Sequence, residues 1–195
     1  RWDSLAAKQR AWDSEYEVGR WTYDRGGQNN EGQEAIYRFI DRYNAGGSIL
    51  DLGCGSGMTA LEMKCDFREY VGVDVSQVAV EKARATLSRE ADRANKVRFF
   101  VSDISTFLPT GQFSVILFRE SIYYVPQRRI KGMLERYCSY LGPDGVFIVR
   151  LCDRYRYKSI VTILETELKI TETYMPGDST MAIFVCSPGE SRKIL

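Results

Sequence analysis

The sequence predicts one α/β domain: a seven-stranded, mostly parallel sheet with an antiparallel strand near its end, helices on both faces and a helical appendage in front. Three observations predict it. Short runs rich in Val, Ile, Phe and Leu alternate with amphipathic helical stretches, the pattern of a parallel sheet covered on both faces and joined by right-handed crossovers. Ile49-Leu50-Asp51-Leu52 runs straight into Gly53-Cys54-Gly55-Ser56-Gly57, a buried strand entering a glycine-rich turn. The last two strand-like runs, Leu168–Tyr174 and Thr180–Ser187, are separated by only Met175 to Ser179. That gap is too short for a parallel crossover, so they form an antiparallel hairpin.

The elements follow in order. Leu5, Trp12 and Tyr16 share one face of a first helix, and Ile36, Phe39, Ile40 and Tyr43 mark a second by their i, i+3, i+4, i+7 spacing. A loop at Gly26 to Asn30 separates them, with Asn30 as cap, and Gly46-Gly47 ends the second helix. Strands are expected at 48–52, 69–74, 97–101, 113–118 and 145–151. Between them, a helix near 76–90 aligns Val80, Ala83 and Leu87. Another, near 126–141, opens at Pro126 and stops at Gly142-Pro143, and a third spans roughly 153–165. Residues 1–44 read as the appendage and 45–195 as the core, in one compact unit.

Composition narrows the function. Lys and Arg total 27 against 26 Asp and Glu, a formal charge of +1, which gives no general pull toward nucleic acid or anionic membrane. No apolar run reaches bilayer-spanning length. The five cysteines include no C-x-x-C pair, which fits reduced, mainly buried thiols in a cytoplasmic protein. Histidine is absent, removing the commonest general base and the commonest transition-metal ligand together.

The glycine turn is a ligand cradle. The helix after it directs free N–H groups and partial positive charge at whatever lies there. Met58 breaks the dinucleotide fingerprint, and no Gly-Lys-Ser/Thr follows to make a P-loop. Asp51, close to the turn, would repel a pyrophosphate but suits a cationic or amine-bearing ligand.

At this point the chain resembles the class I S-adenosylmethionine-dependent methyltransferases, whose fold is Rossmann-like, across most of residues 45–187. Asp51-Leu52-Gly53-Cys54-Gly55-Ser56-Gly57 is similar to that family's first motif, and Val71-Gly72-Val73-Asp74 to its second. The resemblance implies that Asp51, Gly53, Gly55, Ser56 and Gly57 hold the methionine end of S-adenosyl-L-methionine. Asp74, with Val75 beside it, would then hold the ribose. Asp74 follows Gly57 by 17 residues, close to the spacing of a ribose-binding acid, and a carboxylate accepts from both ribose hydroxyls. Ser102-Asp103-Ile104 resembles the adenine-contacting element, although Asp103 also suits a helix N-cap.

Ligands in such sheets sit beyond the carboxyl ends of the strands. The segment Phe118-Arg119-Glu120-Ser121-Ile122-Tyr123-Tyr124 leaves the fourth strand there, so Glu120, Tyr123 and Tyr124 are candidates for orienting or deprotonating the acceptor, with one tyrosine expected to face it. Glu120 has Arg119 or Arg150 as possible partners, and Arg119 is also a candidate contact for the cofactor. One glutamate without histidine makes no metal cluster, so no metal is expected. Arg-Glu-Ser-Ile is not the Asn/Asp-Pro-Pro-aromatic element of the branch that methylates N6 of adenine. In small-molecule members an aromatic segment ahead of the core closes over the site. Tyr16, Arg20, Trp21 and Tyr23 are its counterparts, with simple packing of the appendage as the other reading.

The expected activity is methyl transfer to an amine or hydroxyl of a small or medium metabolite. The alternatives are a protein acceptor, or a catalytically silent module that binds the cofactor or a partner subunit. A nucleic-acid acceptor is disfavoured.

Overall fold

The computed structural model describes residues 4–20 and 30–189. Seven strands form one sheet: β1 (Ser48–Leu52), β2 (Glu69–Asp74), β3 (Val97–Val101), β4 (Phe113–Arg119), β5 (Leu141–Leu151), β6 (Leu168–Tyr174) and β7 (Ala182–Pro188). Their spatial order is β3-β2-β1-β4-β5-β7-β6. The first five pair in parallel, and β7 slots antiparallel between β5 and β6. The chain reverses direction across the sheet between β1 and β4, and the carboxyl ends of these two strands frame the switch point where such sheets bind ligands.

Alternation along each strand builds two cores. Ile49, Tyr70, Val115, Leu117 and Ile148 face one side. There they meet Ile36 and Ile40 of α2 (Asn30–Asn44) and Val80 and Ala83 of α4 (Gln77–Leu87). Leu50, Leu52, Val73, Ile116 and Phe118 face the other side. These pack on Ile130, Leu134 and Tyr137 of α6 (Gln127–Cys138) and on Ile160 and Leu164 of α7 (Lys158–Glu167). Because both faces are covered, the strands read as continuous apolar runs. Three further helices are α1 (Leu5–Glu17), α3 (Met58–Glu62) and the single turn α5 (Ala91–Ala94), which the sequence reading does not anticipate.

Several boundaries differ from expectation. Helix α6 ends at Cys138, and Gly142-Pro143, expected to stop it, belong to β5. Phe113 pairs with Leu141 and Val115 with Val146, so the intervening residues of β5 loop out of the ladder. A proline, which has no N–H to give, is tolerated in such an irregularity. Helix α7 starts later than expected because Asp153 Oδ1 accepts the N–H groups of Tyr155 and Arg156, both at 2.9 Å, fixing a turn first. Helix α2 begins at Asn30, the residue expected to cap it. The loop expected at 26–29 lies outside the described residues.

Candidate active site

The end of β1 bends because Gly53 adopts φ +90°, a left-handed conformation costly for any residue with a Cβ. Any such Cβ would also collide with the Ser121 side chain. The Ser121 hydroxyl in turn donates to the Leu52 carbonyl, so the strand exits of β1 and β4 are tied together at the switch point. The N–H groups of Gly53 and Cys54 both donate to Val73 O, at 2.7 and 3.0 Å, folding the turn back against β2.

Asp74 ends β2 and locks that turn from the far side. Its Oδ2 accepts the Gly55 N–H at 3.0 Å and its Oδ1 the Ser76 N–H at 2.9 Å. Burial raises its pKa, and these backbone donors offset part of the rise. The Val75 N–H acts on the carboxylate as well, and lone-pair capacity is left for a further donor.

Asp51 is almost wholly buried. Its Oδ2 accepts from the Tyr70 hydroxyl, while Oδ1 is sealed from solvent with no hydrogen-bond partner among the described residues. Burial pushes its pKa up to about 6, and the neighbouring Tyr70 and Thr59 hydroxyls offset only part of that.

Where β4 ends, Glu120 holds φ +60°, an uncommon conformation for a side chain of this size. Its carboxylate is tightly engaged. Arg150 pairs with Oε1, and Oε2 accepts from the Tyr123 hydroxyl at 2.7 Å and the Cys152 N–H at 2.9 Å. Tyr123 stacks flat on Tyr157 with ring centroids 4.2 Å apart. Burial and the adjoining Glu120 charge drive the Tyr123 pKa far above its usual value, and burial raises that of Tyr124 to about 12. Neither phenol is therefore poised as a base at neutral pH. Next to them, Arg119 Nη1 donates to Tyr37 Oη and Thr59 Oγ1, both at 3.2 Å. Burial lowers the Arg119 pKa to about 10, with Arg150 adding to the effect.

Helix α1 lies across these loops. Ser4 caps its start, accepting from Ala7 N at 3.2 Å. Asp13 Oδ1 accepts from Ser76 Oγ at 2.7 Å and Val78 N at 3.2 Å, at the head of α4. Lys82 Nζ donates to the Tyr16 carbonyl at 2.7 Å. From this anchorage Trp12 sets its ring edge-on to Tyr124, centroids 4.7 Å apart, and the Tyr16 hydroxyl hangs over Gly55. Lys8 forms an ion pair with Asp103 Oδ2 at 3.0 Å.

Together these groups enclose a cavity of about 240 Å³. Of the expected cofactor residues, Gly53, Gly55 and Ser56 line it from the turn. Asp74 and Val75 line it after β2, Ile104 after β3, and Arg119 from β4. Asp51, Gly57 and Asp103 do not line it, although Asp103 holds Lys8, which does. Of the expected acceptor residues Tyr16, Arg20, Glu120 and Tyr124 line the cavity, and Tyr123 stands behind Glu120. Trp21 and Tyr23 lie outside the described residues. Six other lining residues, Lys8, Trp12, Cys54, Met58, Thr59 and Ser121, were not among those expected at the site. The readable signal was the spacing of Lys8, Trp12 and Tyr16, i, i+4 and i+8, which puts a charge on the inner stripe of α1.

The family model described as a methyltransferase domain matches residues 49–145, from β1 into β5. The chain belongs to the class I S-adenosylmethionine-dependent methyltransferase family. Among solved structures the fold is similar to N-methyltransferase NodS from Bradyrhizobium japonicum in complex with S-adenosyl-l-homocysteine. The TM-score is 0.71 at 17% identity, covering 91% of this chain and 98% of that one. It is likewise similar to magnesium protoporphyrin IX methyltransferase from Synechocystis with bound SAM: TM-score 0.72, 17% identity, 96% and 98% covered. In sequence it is 27% identical over 123 residues to 2-heptyl-1-hydroxyquinolin-4(1H)-one methyltransferase of Mycobacteroides abscessus, covering 63% of this chain and 53% of the relative. It is 40% identical over 101 residues to ribosomal protein L11 methyltransferase of Burkholderia multivorans, covering 51% and 30%. The chain thus spans about half the length of the first of these curated relatives and under a third of the second.

The residues present fit the family's cofactor. The left-handed turn leaves its backbone open to a ligand, and Asp74 offers free lone pairs to the cavity. Among the described residues no group of three His, Cys, Asp or Glu side chains is arranged to hold a metal ion, and no helix is long and apolar enough to cross a membrane.

Proposed function

We propose that this chain transfers a methyl group to an amine or hydroxyl of a small or medium metabolite, without a metal ion. The observation that carries the reading is the roof. Helix α1 brings Trp12 and Tyr16 over the glycine turn, so the site is a lidded pocket, whereas a protein acceptor calls for an open groove. All five cysteines are free, which supports a reducing, cytoplasmic setting.

When bound, S-adenosylmethionine supplies a methyl group already activated on a sulfonium. The task left to the chain is alignment and exclusion of water. In this reading Asp51 and the turn (Gly53, Gly55, Ser56, Gly57) receive the methionine end, with Arg119 nearby. Asp74 and Val75 receive the ribose, and Asp103 and Ile104 the adenine. Tyr16, Arg20 and Tyr124 wall the acceptor space. Glu120 orients the acceptor and receives its proton, and Tyr123 is a positioning residue that fixes the Glu120 carboxylate through a 2.7 Å hydrogen bond.

Calorimetry with S-adenosylmethionine and S-adenosylhomocysteine tests the reading, and no measurable heat from either rejects it. A labelled-methyl assay then separates acceptors. Labelling of amine or hydroxyl metabolites supports the proposal, labelling of peptides alone favours a protein acceptor, and tight binding without any transfer favours a silent module.

A further inference from the structure

We infer that the acceptor is a planar aromatic compound, carrying its amine or hydroxyl on the ring and held against a wall formed by Trp12 and Tyr124. The inference rests on the reading of the cavity as an S-adenosylmethionine-dependent methyl-transfer site, and it narrows the acceptor of that site.

Four rings form a row where β4 and β5 end. Trp12 meets Tyr124 edge-on with centroids 4.7 Å apart, and Tyr124 meets Tyr123 at 4.7 Å. Tyr123 in turn lies flat on Tyr157, the residue at the head of α7, at 4.2 Å. The sequence brings them together by placing Ile122-Tyr123-Tyr124 in one tight helical turn straight after Glu120 and Ser121. Ile122 fills the core side of that turn, which leaves the two tyrosines to turn outward. Tyr124 stays 38% exposed, although it has a ring on either side, and with Trp12 it lines the cavity. Each ring is braced by the next, so the wall is formed before any acceptor arrives and little order has to be imposed on binding. Aromatic faces and edges attract a further ring beyond what apolar burial gives.

The polar side chains beside the wall are already engaged. The Ser121 hydroxyl donates to the Leu52 carbonyl, and Arg20 pairs with Glu15 at 2.9 Å. Glu120 is held by Arg150, the Tyr123 hydroxyl and the Cys152 N–H. A sugar or other polyhydroxylated acceptor needs several polar groups converging on it, and this end of the cavity presents rings instead.

The acceptor proton points the same way. The chain has no histidine, and burial keeps the phenols of Tyr123 and Tyr124 protonated at neutral pH. That leaves the Glu120 carboxylate to receive the proton, and a carboxylate is a weak base. A hydroxyl on an aromatic ring ionises far more readily than an aliphatic one. An amine on such a ring is uncharged at neutral pH and keeps its lone pair available. Either atom comes to the transfer without needing a strong base.

The test is calorimetric titration of the full chain, saturated with S-adenosylhomocysteine, with 1-naphthol and with decahydro-1-naphthol, its saturated counterpart. The aromatic compound should bind about fivefold more tightly or better, the scale of a ring-to-ring contact. Tyr124→Leu, which keeps apolar bulk, should erase that preference, and Tyr124→Phe, which keeps the ring, should retain it. Equal binding of the two compounds, binding of neither, or an unchanged preference in Tyr124→Leu overturns the inference. Should Tyr124→Leu fail to fold, Trp12→Leu takes its place and is read in the same way. A chain that does not bind S-adenosylhomocysteine at all brings down the methyl-transfer reading itself, and the inference with it.

Discussion

Asp74 does two jobs with one carboxylate. It pins the turn through Gly55 and Ser76, and it faces the cavity. Asp74→Ala should therefore weaken S-adenosylhomocysteine binding by about 1–3 kcal/mol, through lost charge-assisted hydrogen bonds. Asp74→Asn, which keeps an oxygen for one backbone donor, should recover stability before it recovers affinity. Calorimetry paired with thermal unfolding separates the two effects, and unchanged affinity in both variants would refute the ribose role. The turn glycines at 53, 55 and 57 were legible because their left-handed backbone demands that residue type, and Asp74 because its spacing from the turn brings its carboxylate against it. The partner of Glu120 was not legible. Arg119 and Arg150 face one another across β4 and β5, and only the three-dimensional register gives the carboxylate to Arg150.

Among the elements, α1 is the one whose role the sequence left open between lid and packing. Its Trp12 and Tyr16 stripe suits either, and the helix is fastened by polar anchors at Asp13, Tyr16 and Lys8, all to residues remote in sequence. Asp13 is the anchor with the least contact to the cavity. Asp13→Ala should cost about 1 kcal/mol, the worth of a helix cap, and should speed amide hydrogen exchange in residues 5–17 while the sheet stays protected. Equal protection of α1 in both proteins would mean that the helix is held by its apolar stripe alone. The boundaries of α6 and β5 were misread for a related reason. Gly142-Pro143 is a good helix stop, but the same pair also fits a looped-out strand segment, and only pairing with β4 distinguishes them.

Across the whole molecule, the parallel order and the final hairpin followed from alternation and loop length, which are global constraints readable in one dimension. The energetic consequence of Asp51 is not readable that way, because it depends on complete burial. Its pKa rises from 3.8 to about 6, so the native state binds a proton that the unfolded chain has released. The sign follows: this residue subtracts stability as pH rises from about 4 to about 6, and the full penalty remains above that. Asp51→Asn removes the penalty. Denaturant midpoints should show the variant gaining on the order of 1–3 kcal/mol over the unaltered chain at about pH 8, and little at about pH 4. Asp74, also raised, acts alike in both proteins and cancels. A gain independent of pH would mean that the carboxyl is not the source.

The placement of β7 has a consequence for how the chain acquires its shape. It wedges between β5 and β6, although it is made after both. Until it emerges from the ribosome, β5 shows an open flank and β6 has no neighbour. The nascent protein therefore carries unpaired main-chain edges from the making of β5 until β7 emerges, with the cofactor cradle already translated. A strand that seals the sheet only after both of its neighbours are made leaves this fold's protection from aggregation waiting on β7.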